Sequence, residues 1–170
     1  MMSNGERSEM KALIVFYSRT GTTRKVAESI SKALSCDLEE VFDTKNRAGP
    51  LSFITAGRDA AQKRLTVIRD PKMDPRVYDI IVIGTPVWAG TVSSPIRTYI
   101  TQKREYFKRV AFFCTVGGTG TDKTLETMKD LCGKDPVASL WITTKQTKSE
   151  QYLKKTDEFV DKIRSETSKL

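Results

Sequence analysis

The chain has 170 residues, of which 38% are hydrophobic and 29% charged, with a formal net charge of +8 at pH 7. This length and composition predict one soluble globular domain with a sizeable core. The sequence contains no histidine, which excludes Ser-His and Cys-His catalysis and histidine-ligated zinc. Its three cysteines form no C-x-x-C pair, so we expect buried structural cysteines rather than a disulfide framework or a metal site.

The sequence shows neither a transmembrane run nor a secretory apolar segment, and it starts with the polar stretch MMSNGERSEM. We therefore expect a cytoplasmic protein that does not associate with membranes. We also expect a disordered or flexible N-terminus at 1–10, followed by a single domain at 11–170.

Five short apolar runs alternate along the chain with segments of helical spacing. The runs are nearly continuous, as in parallel strands that are buried on both faces. This alternation predicts an α/β fold with right-handed crossovers and helices on both faces of the sheet. The predicted strands are KALIVFY (11–17), DLEEVF (37–42), YDIIVIGT (78–85), RVAFFCT (109–115) and ASLWIT (138–143).

The segments between the strands place apolar residues at the spacing of one helix face. These sets are Val26, Ile30 and Ala33, then Ile96 and Ile100, then Leu125, Met128 and Leu131, and finally Phe159, Val160 and Ile163. Residues 43–77 are longer than a simple crossover needs. Within them, LSFITAGRDAAQKRL (51–65) predicts a helix that adds surface cover near a strand end.

Three turns share an unusual chemistry. In open parallel sheets, ligands bind beyond the carboxyl ends of the strands, where the strand order reverses. The turns after the first, third and fourth predicted strands are rich in small and hydroxyl residues. They read SRTGTT (18–23), TPVWAGT (85–91) and TVGGTG (115–120), and we expect them to form one site.

The first of these turns has the composition of a phosphate-binding loop. Amides at a helix start lack partners, and the helix dipole adds about half a positive charge there. Hydroxyls from Ser18, Thr20, Thr22 and Thr23 can donate hydrogen bonds, and Gly21 allows close backbone approach. An ordinary N-cap is the alternative, but a cap needs one hydroxyl, whereas four favour an anion.

The second turn carries Trp88 among small residues. This tryptophan is either a flat plate for a planar ligand, with backbone amides near the polar ring atoms, or a side chain packed over the end of the sheet. The third turn would then form the opposite wall, because its glycines bring backbone close to the ligand edge.

Taken in order, the three turns resemble those of the flavodoxin family. SRTGTT is similar to the flavodoxin FMN-phosphate signature, [Ser/Thr]-x-Thr-Gly-x-Thr. GTPVWAGT resembles the loop whose tryptophan stacks on the isoalloxazine ring, and TVGGTGT resembles the third flavin loop. The resemblance spans residues 11–165. It implies a three-layer flavodoxin-like α/β fold whose five-stranded parallel sheet, order 2-1-3-4-5, binds FMN at the switch point.

The resemblance also implies which residues bind the cofactor. The first loop would hold the phosphate, the second would line the ring with Trp88 stacked on one face, and the backbone of the third would approach the pyrimidine edge. The implied set is Ser18, Arg19, Thr20, Gly21, Thr22, Thr23, Thr85, Pro86, Val87, Trp88, Ala89, Gly90, Thr115, Gly117, Gly118 and Thr119.

The third loop departs from the family. Many flavodoxins place a second aromatic side chain there, but this chain has Val116, Gly117, Gly118 and Thr119. One ring face is therefore expected to be open to a substrate or a partner.

Two functions agree with these residues. The first is an FMN-dependent electron-transfer protein that shuttles electrons between redox partner proteins. The alternative is a small NAD(P)H-dependent FMN oxidoreductase of the quinone reductase type. A flavodoxin-like scaffold that has lost FMN is a third hypothesis, and either a monomer or a dimer agrees with the sequence.

The positive charge bears on the choice of partner. Residues 97–109 hold Arg97, Lys103, Arg104, Lys108 and Arg109 against Glu105 alone. This excess is either a solvated surface or a docking site for an acidic, ferredoxin-like redox partner. We do not expect nucleic acid as a partner, because no nucleic-acid motif and no interleaved surface aromatics accompany the charge.

Other nucleotide- and phosphate-binding motifs each lack a required residue in this sequence. GGTGTDKT (117–124) differs from a P-loop because Asp122 stands where glycine precedes the lysine. A response regulator would need an aspartate where the third predicted strand ends in Thr85, and a phosphatase of similar fold would need Cys-x5-Arg.

We predict a second reduction potential less negative than that of a typical flavodoxin. Typical flavodoxins are acidic, and carboxylates around the flavin disfavour the reduced anion. Here the two principal flavin loops carry no acidic residue and the chain is +8. A potentiometric redox titration measures this potential, and a strongly negative value would contradict the prediction.

Overall fold

A parallel sheet between two layers of helices forms the fold of this chain. The computed structural model describes residues 9–45 and 50–169, without the side chains of residues 50, 52 and 53. The strands are β1 Ala12–Phe16, β2 Asp37–Glu40, β3 Ile80–Trp88, β4 Thr91–Val92, β5 Val110–Val116 and β6 Ser139–Thr143. The helices are α1 Thr22–Leu34, α2 Pro50–Ala61, α3 Ser94–Lys103, α4 Thr121–Cys132 and α5 Gln151–Thr167.

The strand order confirms the predicted topology. Five strands pair in parallel in the order β2-β1-β3-β5-β6, so β5 and β6 are the fourth and fifth strands of the predicted 2-1-3-4-5 sheet. The two-residue β4 is additional and pairs antiparallel with β3. The prediction of flexible residues at 1–10 falls mostly on residues 1–8, which lie outside the described part of the chain.

Each face of the sheet has its own hydrophobic core. Ile14 and Phe16 of β1 pack with Val26 of α1 and Phe159 of α5. On the other face, residues from α2, α3 and α4 cover the sheet, including Ala60, Ile96 and Met128. Successive strand residues point to opposite faces, which explains why the buried strands are apolar throughout.

The helix faces predicted from the spacing are the buried ones. Val26, Ile30, Ile96, Ile100, Met128, Phe159, Val160 and Ile163 are buried, and Ala33, Leu125 and Leu131 are partly buried against the same cores.

The predicted helix at 51–65 ends earlier than its pattern suggests, at Ala61. Lys63 takes a left-handed conformation with φ of 54°. Its N–H donates to the Ala60 carbonyl at 2.9 Å, and Arg64 N–H donates to the Asp59 carbonyl at 2.9 Å. This pair of bonds is the Schellman arrangement, which satisfies the last carbonyls of a helix and stops it.

The third strand runs past its predicted end. The sequence places the end of the strand at Thr85, whereas β3 continues to Trp88 and turns back into β4 through Ala89 and Gly90. Both turn residues have positive φ, 47° and 72°. Two such residues in a two-residue connection form a type I′ hairpin turn, whose twist matches that of the strands. The predicted loop is therefore a β-hairpin.

The cysteines follow the prediction in part. Cys114 and Cys132 are free and buried, whereas Cys36 is free but only half-buried. Burial raises the pKa of the Cys36 thiol to about 11, and that of Cys114 and Cys132 to about 12.

None of the helices within residues 9–45 and 50–169 has both the length and the hydropathy that a membrane-spanning segment requires.

We predict that Gly84→Ala destabilises the protein by about 1–3 kcal/mol or more. A Cβ at position 84 would lie 2.0 Å from the ring of Phe113, a side chain that is fully buried. Urea unfolding measures the effect.

Gly57→Ala is the matched control. A Cβ at position 57 meets nothing within 4 Å, and the residue lies inside α2. Because alanine favours a helix over glycine by up to about 1 kcal/mol, this variant should be as stable as the parent or more so. Equal stability of the two variants would contradict the close packing at Gly84.

Candidate functional site

The strand register brings the three predicted turns to one edge of the sheet. Phe16 lies opposite Gly84 in the β1–β3 pair, and Pro86 lies opposite Thr115 in the β3–β5 pair. The three strands therefore end close to one level, and the segments that follow them emerge together. This edge is the switch point at which the order of an open parallel sheet reverses.

A cavity of about 350 Å³ lies between these segments. It takes in the predicted site residues except Ser18, Gly21 and Thr85, and it adds Val116 and Thr144. Its described lining is Arg19, Thr20, Thr22, Thr23, Pro86, Val87, Trp88, Ala89, Gly90, Thr115, Val116, Gly117, Gly118, Thr119 and Thr144. A larger cavity of about 540 Å³ lies near Lys11, Cys36 and Arg164, at the opposite edge of the sheet, so volume alone does not identify the site.

The start of α1 has no side-chain cap. Its N-cap is Gly21, with φ of 97° and no side-chain cap hydrogen bond. Ser18 Oγ accepts from Gly21 N–H at 3.1 Å, one residue before the helix, and the first helical bond runs from Lys25 N–H to the Gly21 carbonyl at 3.0 Å. The amides at the first turn therefore have no acceptor within the helix. This geometry favours the anion site over the ordinary hydroxyl cap.

A pair of hydroxyls joins the first loop to the third. Thr23 and Thr115 are 2% and 4% exposed, and their Oγ1 atoms lie 2.8 Å apart in a hydrogen bond. Thr23 is in the first turn of α1 and Thr115 is in β5, ninety-two residues later. The bond therefore sets the distance between the helix start and the neighbouring strand end.

Trp88 packs over the end of the sheet, which is one of the two roles that the sequence left open, and it also lines the cavity. It is only 7% exposed and belongs to the hydrophobic core. Its ring meets that of Tyr17 edge to face, with centroids 5.3 Å apart, a favourable arrangement for two aromatic rings. The same residue lines the cavity. Trp88 thus packs over the end of the sheet while also forming part of the cavity wall.

Thr85 does not reach the cavity, contrary to its predicted place in the lining. Its side chain is fully buried. Thr85 Oγ1 lies 2.9 Å from Ser93 Oγ and accepts from Ser93 N–H at 3.1 Å. It therefore ties β3 to the residue before α3 and fixes the base of the hairpin. Ser18 and Gly21 lie outside the lining as well, although they shape the loop.

The hairpin and the third loop meet at two glycines. A Cβ at Gly120, which has φ of 104°, would lie 2.7 Å from Gly90 Cα. Gly117 and Gly118 are exposed and have open space above them, because a Cβ at either position would meet nothing within 4 Å. The third loop thus presents bare backbone to the cavity.

The cavity has no negative charge among its described lining residues, and Arg19 supplies a positive one.

Two residues of the lining, Val116 and Thr144, are absent from the predicted set. Val116 lies within the third turn, whereas Thr144 follows β6 and carried no motif. Thr144 N–H donates to the Val116 carbonyl at 2.9 Å, which holds the end of β6 beside the third loop.

The predicted basic surface at 97–109 is only partly a surface. Arg97 is 5% exposed. Its Nη2 donates to Thr91 Oγ1 at 3.4 Å, and its Nε has no acceptor within the described chain. Burial lowers the pKa of this guanidinium. The other cations of the stretch lie from the last residue of α3 to the residue before β5, at the edge opposite the cavity.

The model of the Flavodoxin family matches residues 11–162 of the chain. The chain belongs to the flavodoxin family. This match covers every strand and all three turns around the cavity, so the resemblance carried by the three motifs is confirmed. A comparison with curated proteins found no match.

Solved structures agree with this family. A Lactobacillus acidophilus flavoprotein, crystallised in complex with FMN, is 29% identical with a TM-score of 0.69 over 78% of this chain and 93% of that one. The apo-form of the flavoprotein from the same organism, solved by NMR, is 27% identical with a TM-score of 0.59 over 82% and 96%. Oxidised Flavodoxin 2 from Bacillus cereus is 19% identical with a TM-score of 0.60 over 92% and 99%, which shows the shared fold.

We predict that the Thr23–Thr115 pair of this chain is energetically coupled. Thr23→Val or Thr115→Val alone leaves one buried hydroxyl without its partner and should cost about 1–3 kcal/mol. The double variant removes both hydroxyls and should lose less than the sum of the two. Urea unfolding of the four proteins gives the coupling, and strictly additive losses would show that the hydroxyls do not interact.

Proposed function

We propose that this chain binds FMN in the 350 Å³ cavity and acts as an electron-transfer protein between redox partner proteins. The single observation that carries the proposal is the uncapped, glycine-led start of α1 at the wall of a cavity between three loops. When bound, FMN supplies chemistry in which one or two electrons are accepted and passed on.

The first loop fits a phosphate dianion. The α1 start offers backbone N–H donors and the positive end of the helix dipole. Thr20 and Thr22 add hydroxyls at the cavity, and Arg19 adds a guanidinium. Charge-assisted bonds from such donors to an anion are stronger than neutral ones. The helix start would hold the phosphate and so orient the rest of the molecule.

The hairpin and the third loop fit a planar ring. Trp88 and Pro86 give an apolar wall, while the exposed Gly117 and Gly118 bring backbone groups to the ring edge without side-chain obstruction. Pyrimidine edges carry both donors and acceptors, which backbone N–H and C=O groups can match. Among the described lining residues, Trp88 is the aromatic side chain. The face of the flavin ring that is turned away from Trp88 is therefore left accessible.

This accessible face supports a second candidate function, an NAD(P)H-dependent FMN oxidoreductase of the quinone reductase type. A substrate would approach the ring where many flavodoxins place a second aromatic side chain. Rapid NADPH oxidation with a quinone by the purified protein alone would favour the reductase, and its absence would favour the carrier.

For the carrier we propose an acidic protein partner. Three exposed cations lie at this edge, in the first turn of α4, after the end of β6 and in the last turn of α2: Lys123, Lys145 and Arg58. Charges around a docking edge steer an oppositely charged partner and speed association. The cations at 103–109 lie at the opposite edge of the sheet, so this proposal does not assign them to the docking surface.

We further propose the cytoplasm as the location, because the composition of the chain is polar.

We predict that FMN binds at least about tenfold more tightly than riboflavin, because only FMN offers an anion to the α1 start. Fluorescence titration of each flavin into flavin-free protein measures both affinities. Equal affinities, or no binding, would contradict the proposed phosphate site.

A pair of variants tests the loop directly. Thr20→Val removes an exposed hydroxyl at the cavity and should weaken FMN binding by about tenfold while leaving riboflavin unchanged. Thr101→Val, an exposed position on α3 outside the cavity lining, is the control and should change neither affinity.

A further inference from the structure

A second cavity lies behind the hairpin, on the side that faces α2. Its volume is about 270 Å³. Ile54, Gly57 and Arg58 of α2 form one side, and Val87, Trp88 and Ala89 of the hairpin form the other. The same three hairpin residues line the cofactor cavity, so Trp88 lies at the boundary between two separate spaces.

The chemistry of this second cavity is apolar with one positive charge. Its described lining consists of aliphatic residues, a glycine and the Trp88 indole, and its charged member is Arg58. Arg58 is exposed, and within the described chain no carboxylate pairs with its guanidinium. Indole faces favour planar rings, and a guanidinium favours carboxylates, which match its planar fork.

Gly57 leaves this space open. Glycine inside a helix lowers helix stability, and Gly57 lies in the middle of α2. A Cβ at this position would meet nothing within 4 Å, so packing does not require the glycine. A larger side chain at position 57 would instead extend into the cavity that Gly57 lines.

We propose that this cavity binds a small planar aromatic carboxylate, with its ring between α2 and Trp88 and its carboxylate paired with Arg58. The volume of about 270 Å³ falls just below the range of about 300–1,000 Å³ for drug-sized ligands, which limits the ligand to one or two fused rings. Binding does not depend on FMN, because the ligand enters from the α2 side.

The test uses the full-length chain, with and without FMN, and 2-naphthoate as the probe in isothermal titration calorimetry. We expect saturable one-to-one binding in both states. In NMR spectra the indole N–H signal of Trp88 should shift while that of Trp141, which lies on β6, should not. Trp141→Phe assigns the two signals.

Two matched pairs of variants locate the site. Gly57→Leu should weaken 2-naphthoate binding by more than tenfold. Ala61→Leu adds the same side chain to an exposed position of α2 outside the lining and should leave 2-naphthoate binding unchanged.

Arg58→Gln should weaken 2-naphthoate binding by about tenfold without changing the binding of neutral 2-naphthol. Lys63→Gln, an exposed charge outside the lining, is its control.

Three results would overturn the proposal. These are no saturable binding of 2-naphthoate, full binding by folded Gly57→Leu, and a loss of FMN affinity in Gly57→Leu. The last result would make the cavity part of the cofactor site. Failure of the proposed FMN function is recognised separately, because the unaltered chain would then not bind FMN while 2-naphthoate binding remained.

Discussion

The backbone register among β1, β3 and β5 determines where every part of the site lies. Tyr17 N–H donates to the Gly84 carbonyl at 3.3 Å just beyond the end of β1, and Pro86 lies opposite Thr115. A slip by one residue would turn each side chain to the other face of the sheet, which would move Ile14 and Ile83 out of the cores into which they pack and into the core of the opposite face. The two hydrophobic cores therefore hold the register. The register in turn brings the three segments that line the cavity to the same edge of the sheet.

Polar side chains then fix these segments to one another. The Thr23–Thr115 bond joins α1 to β5, and the Thr85–Ser93 bonds join β3 to the start of α3. Such buried bonds add modest net stability but are costly to break, so they specify position more than they strengthen the fold. The donors that remain at the α1 start have no side-chain acceptor within the described chain, because neither Ser18 nor another described side chain caps that helix.

Much of the fold could be predicted, because strands buried on both faces and amphipathic helices leave clear patterns. The three turns were located because each follows one of these strand patterns directly. The hairpin was missed, since Pro86 indicates a strand end and Ala-Gly lacks the asparagine or aspartate typical of a type I′ turn. Burial of Arg97 and the inward turn of Thr85 depend on tertiary packing. Thr144 reaches the cavity because β6 lies next to β5, as the predicted strand order has it, but the turn after β6 carries no motif that marks it as part of the site.

The close approach of Gly120 to Gly90 has a consequence for how this edge can change. A Cβ on Gly120 would lie 2.7 Å from Gly90 Cα and 3.2 Å from Val87 Cγ1. The hairpin and the third loop therefore leave no space between them for an added side-chain carbon. A substitution or insertion in one segment must therefore be accommodated by the other. In a chimera that exchanges segments between relatives, these two would have to be transferred together, as one inherited unit.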